Sequence, residues 1–461
     1  MTMKSTLSGY PEWLPEDKIV EQKIIKTIQE AFELYGYAPI ETRSVEPLNV
    51  ILSKGETDKE IYTLRRLQAT ENEDNKEIGL HFDLTVPFAR YVVENMNELV
   101  FPFRRYQIQK AWRGERPGLG RYREFLQADI DIVDTRPLTI QSDIEIVELI
   151  SDTLSKLPLP RIQFHINNRK LLEGFYNGLA LTNTTDILRI VDKLDKIGAE
   201  KVISILKDDL GVKNDIAEKC VEIGKVKTSN KEDLNEVVSR FGLNNELLLE
   251  GLSELSSLLE HLPQNDKISV VADLSIARGF DYYTGTVCEA KFVDFPKYPT
   301  IAAGGRYDNL VSVGNKKLPG IGMSIGITRI LGILLHEGLL KCSRYSPSVV
   351  LIAMVSEDER TNTNRIARNL RKRGIPCEVF PHALKYGKQI NYADRKRIPY
   401  VWFPPEDGNG DGEVRNLKTR EQKEANSDNW LPPSEEKEIK IEYDNEVMKS
   451  LLNNANYVER K

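Results

Sequence analysis

RRYQIQKAWRGERPGLGRYREFLQADIDIV, from Arg104 to Val133, is the stretch on which the reading of the chain turns. Its first twenty residues carry seven Lys or Arg (104, 105, 110, 113, 116, 121 and 123) against one acid, Glu115, in a chain of formal net charge −6. A local positive spot on a mildly acidic protein points to an anion held in a site, not to a general nucleic-acid surface. From Phe125 the residues alternate. Phe125, Gln127, Asp129, Asp131 and Val133 share one face, and Leu126, Ala128, Ile130 and Ile132 share the other. Upstream, Tyr106, Ile108, Lys110 and Trp112 alternate with Arg105, Gln107, Gln109, Ala111 and Arg113, which predicts a second strand. The connection GERPGLGRY is rich in Pro, Gly and charge, so the pair is antiparallel with a long mobile loop. Arginines at the loop and carboxylates on the returning strand suit a phosphate chain lying beside an ammonium group. The same pattern equally describes a two-faced hairpin with one solvated, charged side.

Working outward, 461 residues with 40% hydrophobic content allow two or three domains. No run approaches the roughly 18 apolar residues of a membrane span, and the start MTMKSTLSGYPEWLP lacks the order of a signal sequence, so a cytoplasmic protein with no membrane partner is expected. Cys220, Cys288, Cys342 and Cys377 are far apart and form no CxxC, and the five histidines are scattered. Neither a disulfide framework nor a metal site follows from side-chain spacing.

An amphipathic helix is predicted over Asp17–Tyr35, stopped by Gly36, followed by the extended segment APIETRSVEPLNVIL. Leu80 to Thr85 alternates well enough to be a strand that puts Asp83 and Thr85 on one face, with a helix beginning near Phe88. Residues 140–157 read as a helix, 162–166 as a short strand, and 169–260 as a succession of helical runs. After Val270 strands return. DLSIARGFDYYTGTVCEAKF brings Arg278 and Gly279, where backbone can approach a ligand closely, beside Tyr282 and Tyr283. The glycine-spaced GIGMSIGITRIL runs into a helix bearing Arg329, and fits neither the GxGxxG nor the GxxxxGK(S/T) order. From Ser346, strand and helix alternate as an α/β unit with basic residues 385, 388, 395, 396 and 397, and DGNGDGE is a surface turn.

Arg113, Glu115, Arg121 and Phe125, within WRGERPGLGRYREFLQADIDI, resemble motif 2 of the class II aminoacyl-tRNA synthetases, and specifically of the histidyl-tRNA synthetase family. IARGFDYYTGTVCE (276–289) is similar to that family's histidine signature, and GGRYDNLV with GIGMSIGITRIL (304–331) resembles motif 3 and its surroundings. APIETRSVEPLNVIL resembles motif 1, which forms a dimer interface in the family. The resemblance covers roughly residues 8 to 433 in the expected order.

It implies an α+β class II core, an antiparallel sheet flanked by helices, over residues 1–168 and 262–341, with a helical insertion at 169–261. It also implies an α/β anticodon-binding domain at 345–433, leaving 434–461 as an extension with no counterpart. The implied activity is activation of L-histidine by ATP, with Mg²⁺, and transfer to tRNA(His) by a homodimer. By carry-over, Arg113 and Arg278 are catalytic. Glu115 meets the adenine side, Arg121 the terminal phosphates and Arg329 the γ-phosphate, while Phe125 stacks on adenine. Asp83, Thr85 and Gln127 surround the ammonium group, while Asp131, Tyr283 and Tyr307 stand at the imidazole end, with Arg113 and Arg278 near the reacting carboxylate. The position of Asp131 is a glutamate in familiar bacterial members, so the shorter side chain reaches the ring directly or through a water.

The nearest rival is the regulatory paralogue that supports an ATP phosphoribosyltransferase. That kind of protein usually lacks the anticodon-binding domain and loses catalytic arginines, whereas Arg113, Arg121, Arg278 and Arg329 are all present here. A synthetase for another amino acid is disfavoured by RGFDYYTGTV. A structural RNA-binding protein would leave the arginine and carboxylate site without employment.

Overall fold

The computed structural model describes residues 7–52, 60–68, 77–276, 282–313, 316–405 and 410–458. Two units are distinguished: residues 1–11 with 24–334, and residues 12–23 with 335–461.

In the first unit the alternating stretch forms an antiparallel hairpin of strands Phe103–Trp112 and Glu124–Val133. The register sets Arg105 opposite Asp131, Gln107 opposite Asp129 and Gln109 opposite Gln127, so the polar residues of both strands fall on one face. Strand Lys316–Gly326 continues that face, with Gly322, Ser324 and Gly326 opposite Asp131, Asp129 and Gln127. Ala302–Val313 follows, pairing Tyr307 with Gly320 and Gly305 with Gly322. The sheet then runs through Thr286–Phe292, Ile162–Asn168 and Ile268–Asp273, with short edge strands Ala38–Pro39 and Lys227–Thr228. It has nine strands among the described residues, antiparallel except for two neighbouring pairs.

Glycine is required where side chains lie flat on this face. A Cβ on Gly320 would stand 2.2 Å from the Tyr307 ring, and one on Gly322 would stand 2.0 Å from Asp131 Oδ1. Ala128, Ile130 and Ile132 point to the opposite face and are fully buried, as the alternation requires. Helix Ile140–Lys156 lies on that side, where Arg306 donates to Asp143. The site face is partly covered by helix Thr85–Glu94, whose Phe88, Ala89 and Val92 pack with Val133, Tyr307, Val311 and Leu318.

This helix corrects the expected strand over Leu80–Thr85. The strand is only Ile78–Leu80, and the helix starts at Thr85, so Pro87 sits in its first turn, where no intrahelical N–H is needed. Asp83 is placed by the helix start, accepting the Val86 N–H at 3.1 Å, and not by a strand period. The first helix is Pro15–Leu34, and Gly36 follows it at φ 78°. The connection Arg113–Arg123, expected to be mobile, is held at several points. Gly118 and Arg121 form a bridge, Gly114 N–H donates to Glu60 O at 2.8 Å, and Arg329 Nε donates to Gly120 O at 2.8 Å.

Between Arg169 and His261 lie seven helices, together with the edge strand Lys227–Thr228. In the second unit a five-stranded sheet is ordered Cys377–Val379, Val350–Ile352, Tyr400–Phe403, Glu413–Asn416, Gln422–Glu424, with the first three parallel. Helices Arg360–Lys372 and Tyr386–Arg395 connect the parallel strands. Part of the expected turn DGNGDGE, residues 407–409, lies outside the described residues. The extension is ordered by pairing: Ile441–Tyr443 runs antiparallel to Leu340–Cys342, and Asp444 caps helix Asn445–Val458. The four cysteines are free and buried. No helix among the described residues is long and apolar enough to cross a membrane.

Candidate active site

The polar face of the hairpin and its continuation open into a cavity of about 210 Å³. At one end stand three buried carboxylates, Asp83, Asp129 and Asp131. Burial pushes Asp83 up to about 7, against the help of the Val86 N–H and Arg113. Burial likewise raises Asp131 to about 7, Arg105 opposing and Asp129 reinforcing, and it raises Asp129 as well. Each group disfavours the charge of the others because water cannot screen them here.

Three acceptors at this end have no donor among the described residues: Asp83 Oδ2, Asp129 Oδ1 and Gln127 Oε1. Buried acceptors are nearly always satisfied, so three of them lining one cavity call for a ligand rich in N–H donors. Gln127 is held by its amide, which donates to Ser324 Oγ at 2.8 Å, so its oxygen is left for the cavity. Deeper in, Tyr307 Oη donates to Asp131 Oδ1 at 2.5 Å, and Arg105 pairs with Asp131 Oδ2 at 2.5 Å. Tyr283 lines the same wall, its ring against Tyr282 at 5.0 Å. Burial raises its hydroxyl far above the working range, so it stays protonated.

The other end is cationic. Arg113 Nε donates to Phe82 O at 2.9 Å, and its guanidinium lies 5.1 Å from the centre of the Phe125 ring. Arg121 and Glu115 face each other at 3.9 Å across the loop. Arg329 also donates to Thr300 O; burial, followed by Arg113, lowers its pKa to about 10, so it remains charged at neutral pH. A flat aromatic surface beside three arginines gives a planar base a place to stack and phosphate oxygens a place to bind.

Asp83, Thr85, Arg113, Glu115, Arg121 and Phe125 line this cavity, as do Gln127, Asp131, Tyr283, Tyr307 and Arg329. Arg278 lies outside the described residues. Further residues enter that the sequence reading did not assign. Asp129 shares the period-two face of Gln127 and Asp131, and that alternation was the signal for it. Arg105 lies on the matching face of the partner strand, but an arginine in a basic run reads as solvated until the register shows it wholly buried. Ser324 and Glu289 had no local signal, because their place depends on how distant strands align.

Residues 9–330 match the family described as Histidyl-tRNA synthetase, and residues 348–431 match the Anticodon binding domain. A histidine--tRNA ligase of Thermobifida fusca (strain YX) is 48% identical over 426 residues, spanning 92% of this chain and 97% of that protein. A crystal structure of histidyl-tRNA synthetase from Nostoc sp. PCC 7120 superposes with a TM-score of 0.82 at 31% identity, covering 93% of this chain and 98% of the other. A crystal structure described as an ATP phosphoribosyltransferase regulatory subunit/histidyl-tRNA synthetase from Bacillus halodurans C shares the fold, with a TM-score of 0.69 at 19% identity. It covers 85% of this chain and 97% of its own.

Proposed function

The chain belongs to the histidyl-tRNA synthetase family, a class II family that activates histidine with ATP and transfers it to tRNA(His), and from that premise we propose how its residues divide the work. It is a histidine--tRNA ligase with a mixed α/β core and a C-terminal anticodon-binding domain. The observation that carries the assignment of roles is the polarity of one cavity: unsatisfied acceptors at one end and arginines at the other.

In the first step the histidine carboxylate attacks the α-phosphorus of ATP and pyrophosphate leaves. Both reactants are anions, so the protein aligns them and neutralises charge as it builds on phosphorus. Arg113, between the two ends, bridges the carboxylate and the α-phosphate, and Arg278 joins it by the family's histidine signature. Phe125 stacks on adenine with Glu115 at its amino side. Arg121 and Arg329 hold the outer phosphates. Asp83, Thr85, Gln127 and Asp129 receive the α-ammonium, whose three N–H donors answer the three orphaned acceptors. Asp131, Tyr283 and Tyr307 form the imidazole end.

Mg²⁺ would accompany ATP and would supply charge neutralisation at its phosphates. Glu115 and Glu289 line the cavity, and a donor set of one or two carboxylates with phosphate oxygens suits Mg²⁺. The aminoacyl group then passes to a tRNA hydroxyl, with the 345–433 unit on the anticodon arm and the 169–261 helices near the acceptor arm. The working form is a cytoplasmic homodimer joined through the segment that resembles motif 1.

Histidine-dependent exchange of pyrophosphate into ATP, with the other nineteen amino acids as controls and Arg113→Ala beside the native chain, tests this reading. Exchange with histidine alone, largely lost in the variant, supports it. No exchange with any amino acid by the folded protein defeats it and turns attention to a phosphoribosyltransferase partner.

A further inference from the structure

We infer that Arg105, acting through Asp131, makes the Tyr307 hydroxyl an acceptor-only contact, and that the chain thereby reads the N–H of the bound imidazole; this rests on the cavity being the histidine site.

The geometry leaves little freedom. Asp131 Oδ2 lies 2.5 Å from Arg105 Nη2, and Asp131 Oδ1 lies 2.5 Å from Tyr307 Oη. A guanidinium can only donate and an ionised carboxylate can only accept. The single proton of Tyr307 is therefore committed to Oδ1, and only lone pairs remain for the cavity. Were Asp131 protonated, Oδ2 would still face a donor, so the proton would sit on Oδ1 and be donated in a hydrogen bond to Tyr307 Oη. The Tyr307 proton would then turn into the cavity and the polarity of the site would invert. Gly322 leaves the room in which Oδ1 sits, since a Cβ at that position would stand 2.0 Å from it.

The charge of Asp131 thus decides what Tyr307 recognises. Burial, Asp129 and Asp83 disfavour its ionisation, while Tyr282 and Tyr283 stand near it as neutral hydroxyls; Arg105 is the guanidinium paired with it, and Arg113 lies beyond Asp83 and Asp129. Arg105 is itself wholly buried and fixed. Its Nη1 donates to Gln107 Oε1 at 3.1 Å, and its guanidinium lies 4.2 Å from the Phe88 ring centre. Gln107 is held in turn by Thr42 Oγ1 at 2.9 Å and Gln109 Oε1 at 2.6 Å. A neutral imidazole offers one N–H and one lone pair. An acceptor-only Tyr307 selects the ring orientation that presents the N–H and rejects rings without one.

Arg105 touches no substrate in this scheme, so it is a positioning residue. The test is histidine-dependent exchange from pH 6 to 9 with the native chain, Arg105→Met, Arg105→Lys, Asp131→Asn and Tyr307→Phe. At pH 7, Arg105→Met should raise KM for histidine roughly 30-fold, the scale of a hydrogen bond to a charged group, with a smaller fall in kcat and KM for ATP within about twofold. The defect should shrink toward pH 9 as Asp131 ionises without help, and Arg105→Lys should restore most of it. Asp131→Asn, whose amide must donate to Tyr307, fixes the inverted polarity, so its defect should persist at every pH. In the Arg105→Met/Tyr307→Phe double variant the effects should not multiply. An unchanged KM for histidine in Arg105→Met overturns the inference. So do equal losses for both substrates that neither pH nor lysine relieves, or an Arg105→Met chain that does not fold while Asp131→Asn binds histidine normally. Absence of histidine exchange in the native chain would instead sink the reading of the site.

Discussion

At one end of the cavity Asp83, Asp129 and Asp131 are buried in a wall of paired strands, with the fully buried Arg105 behind them. At the other end Arg113 and Arg329 are half-buried, Arg121 is exposed, and the guanidinium contacts run mainly to backbone carbonyls. The carboxylate end is therefore built before any ligand arrives, and its cost is carried as raised carboxylate pKa values. At the arginine end burial bears mainly on Arg329, lowered to about 10, while Arg121 is exposed and open to an anion. The first arrangement selects a small cation-bearing substrate. The second stabilises charge that appears only as the reaction proceeds.

The most severe way to break this contrast is Arg113→Ala. Its guanidinium faces the place where charge builds on phosphorus, so kcat for histidine-dependent exchange should fall by about 10²–10³-fold. Because Arg113 is only half-buried, the melting temperature should barely move. Asp83→Asn acts at the other end. It leaves the ammonium one charged acceptor short, so KM for histidine should rise about 10–100-fold while KM for ATP holds. An Arg113 variant defective only in KM, or an Asp83 variant defective only in kcat, would show that the two ends do not divide the work this way. Phe125→Ala should be milder still: loss of one stacking surface should raise KM for ATP about tenfold and leave histidine binding alone.

The two ends also differed in how far the sequence revealed them. The strands that carry the carboxylates alternate strictly, and a period of two assigns every side chain once one face is known. Gln127 and Asp131 could be placed in this way, and Asp129 with them. Arg105 could not, because its burial depends on which residue stands across the hairpin, and only the register supplies that. Asp83 was expected on a strand; the chain instead enters a helix at Thr85, since Pro87 is tolerated in a first turn and the apolar stripe of Phe88, Ala89 and Val92 needs a core to cover. At the arginine end only the resemblance to known motifs joined Arg113 to Arg329. The loop that begins at Arg113 meets Arg329 across more than 200 residues of sequence, at Gly120 O, which accepts from Arg329 Nε. The extension beyond residue 433 reads as polar and partly helical, which the helix Asn445–Val458 matches, but its strand is defined only by pairing with Leu340–Cys342.

The smallest effect sharpens the contrast most directly, because it uses proton linkage without altering the arginine end. Asp83 and Asp131 ordinarily titrate near 3.8, and in the folded chain both are raised to about 7. Between those values the unfolded chain holds fewer protons at these groups than the folded one, so their contribution to stability declines as pH rises through that window, and the full cost stands above about 7. A bound ammonium stabilises the ionised carboxylates and offsets that cost. The rise in melting temperature produced by saturating histidine should thus be larger at pH 8 than at pH 6, by about 1–2 °C for about 1 kcal/mol in a chain of this length. Titration of the free histidine ring contributes to the same difference in any protein, and Asp83→Asn separates the two. Asp273, held at about 2 by His165 and Ser275 despite its burial, lies outside the lining of the cavity and cancels between free and bound protein. If the native chain and Asp83→Asn show the same pH dependence in a thermal melt, the ammonium does not draw on the Asp83 carboxylate, and the division between a preformed carboxylate end and a responsive arginine end has to be redrawn.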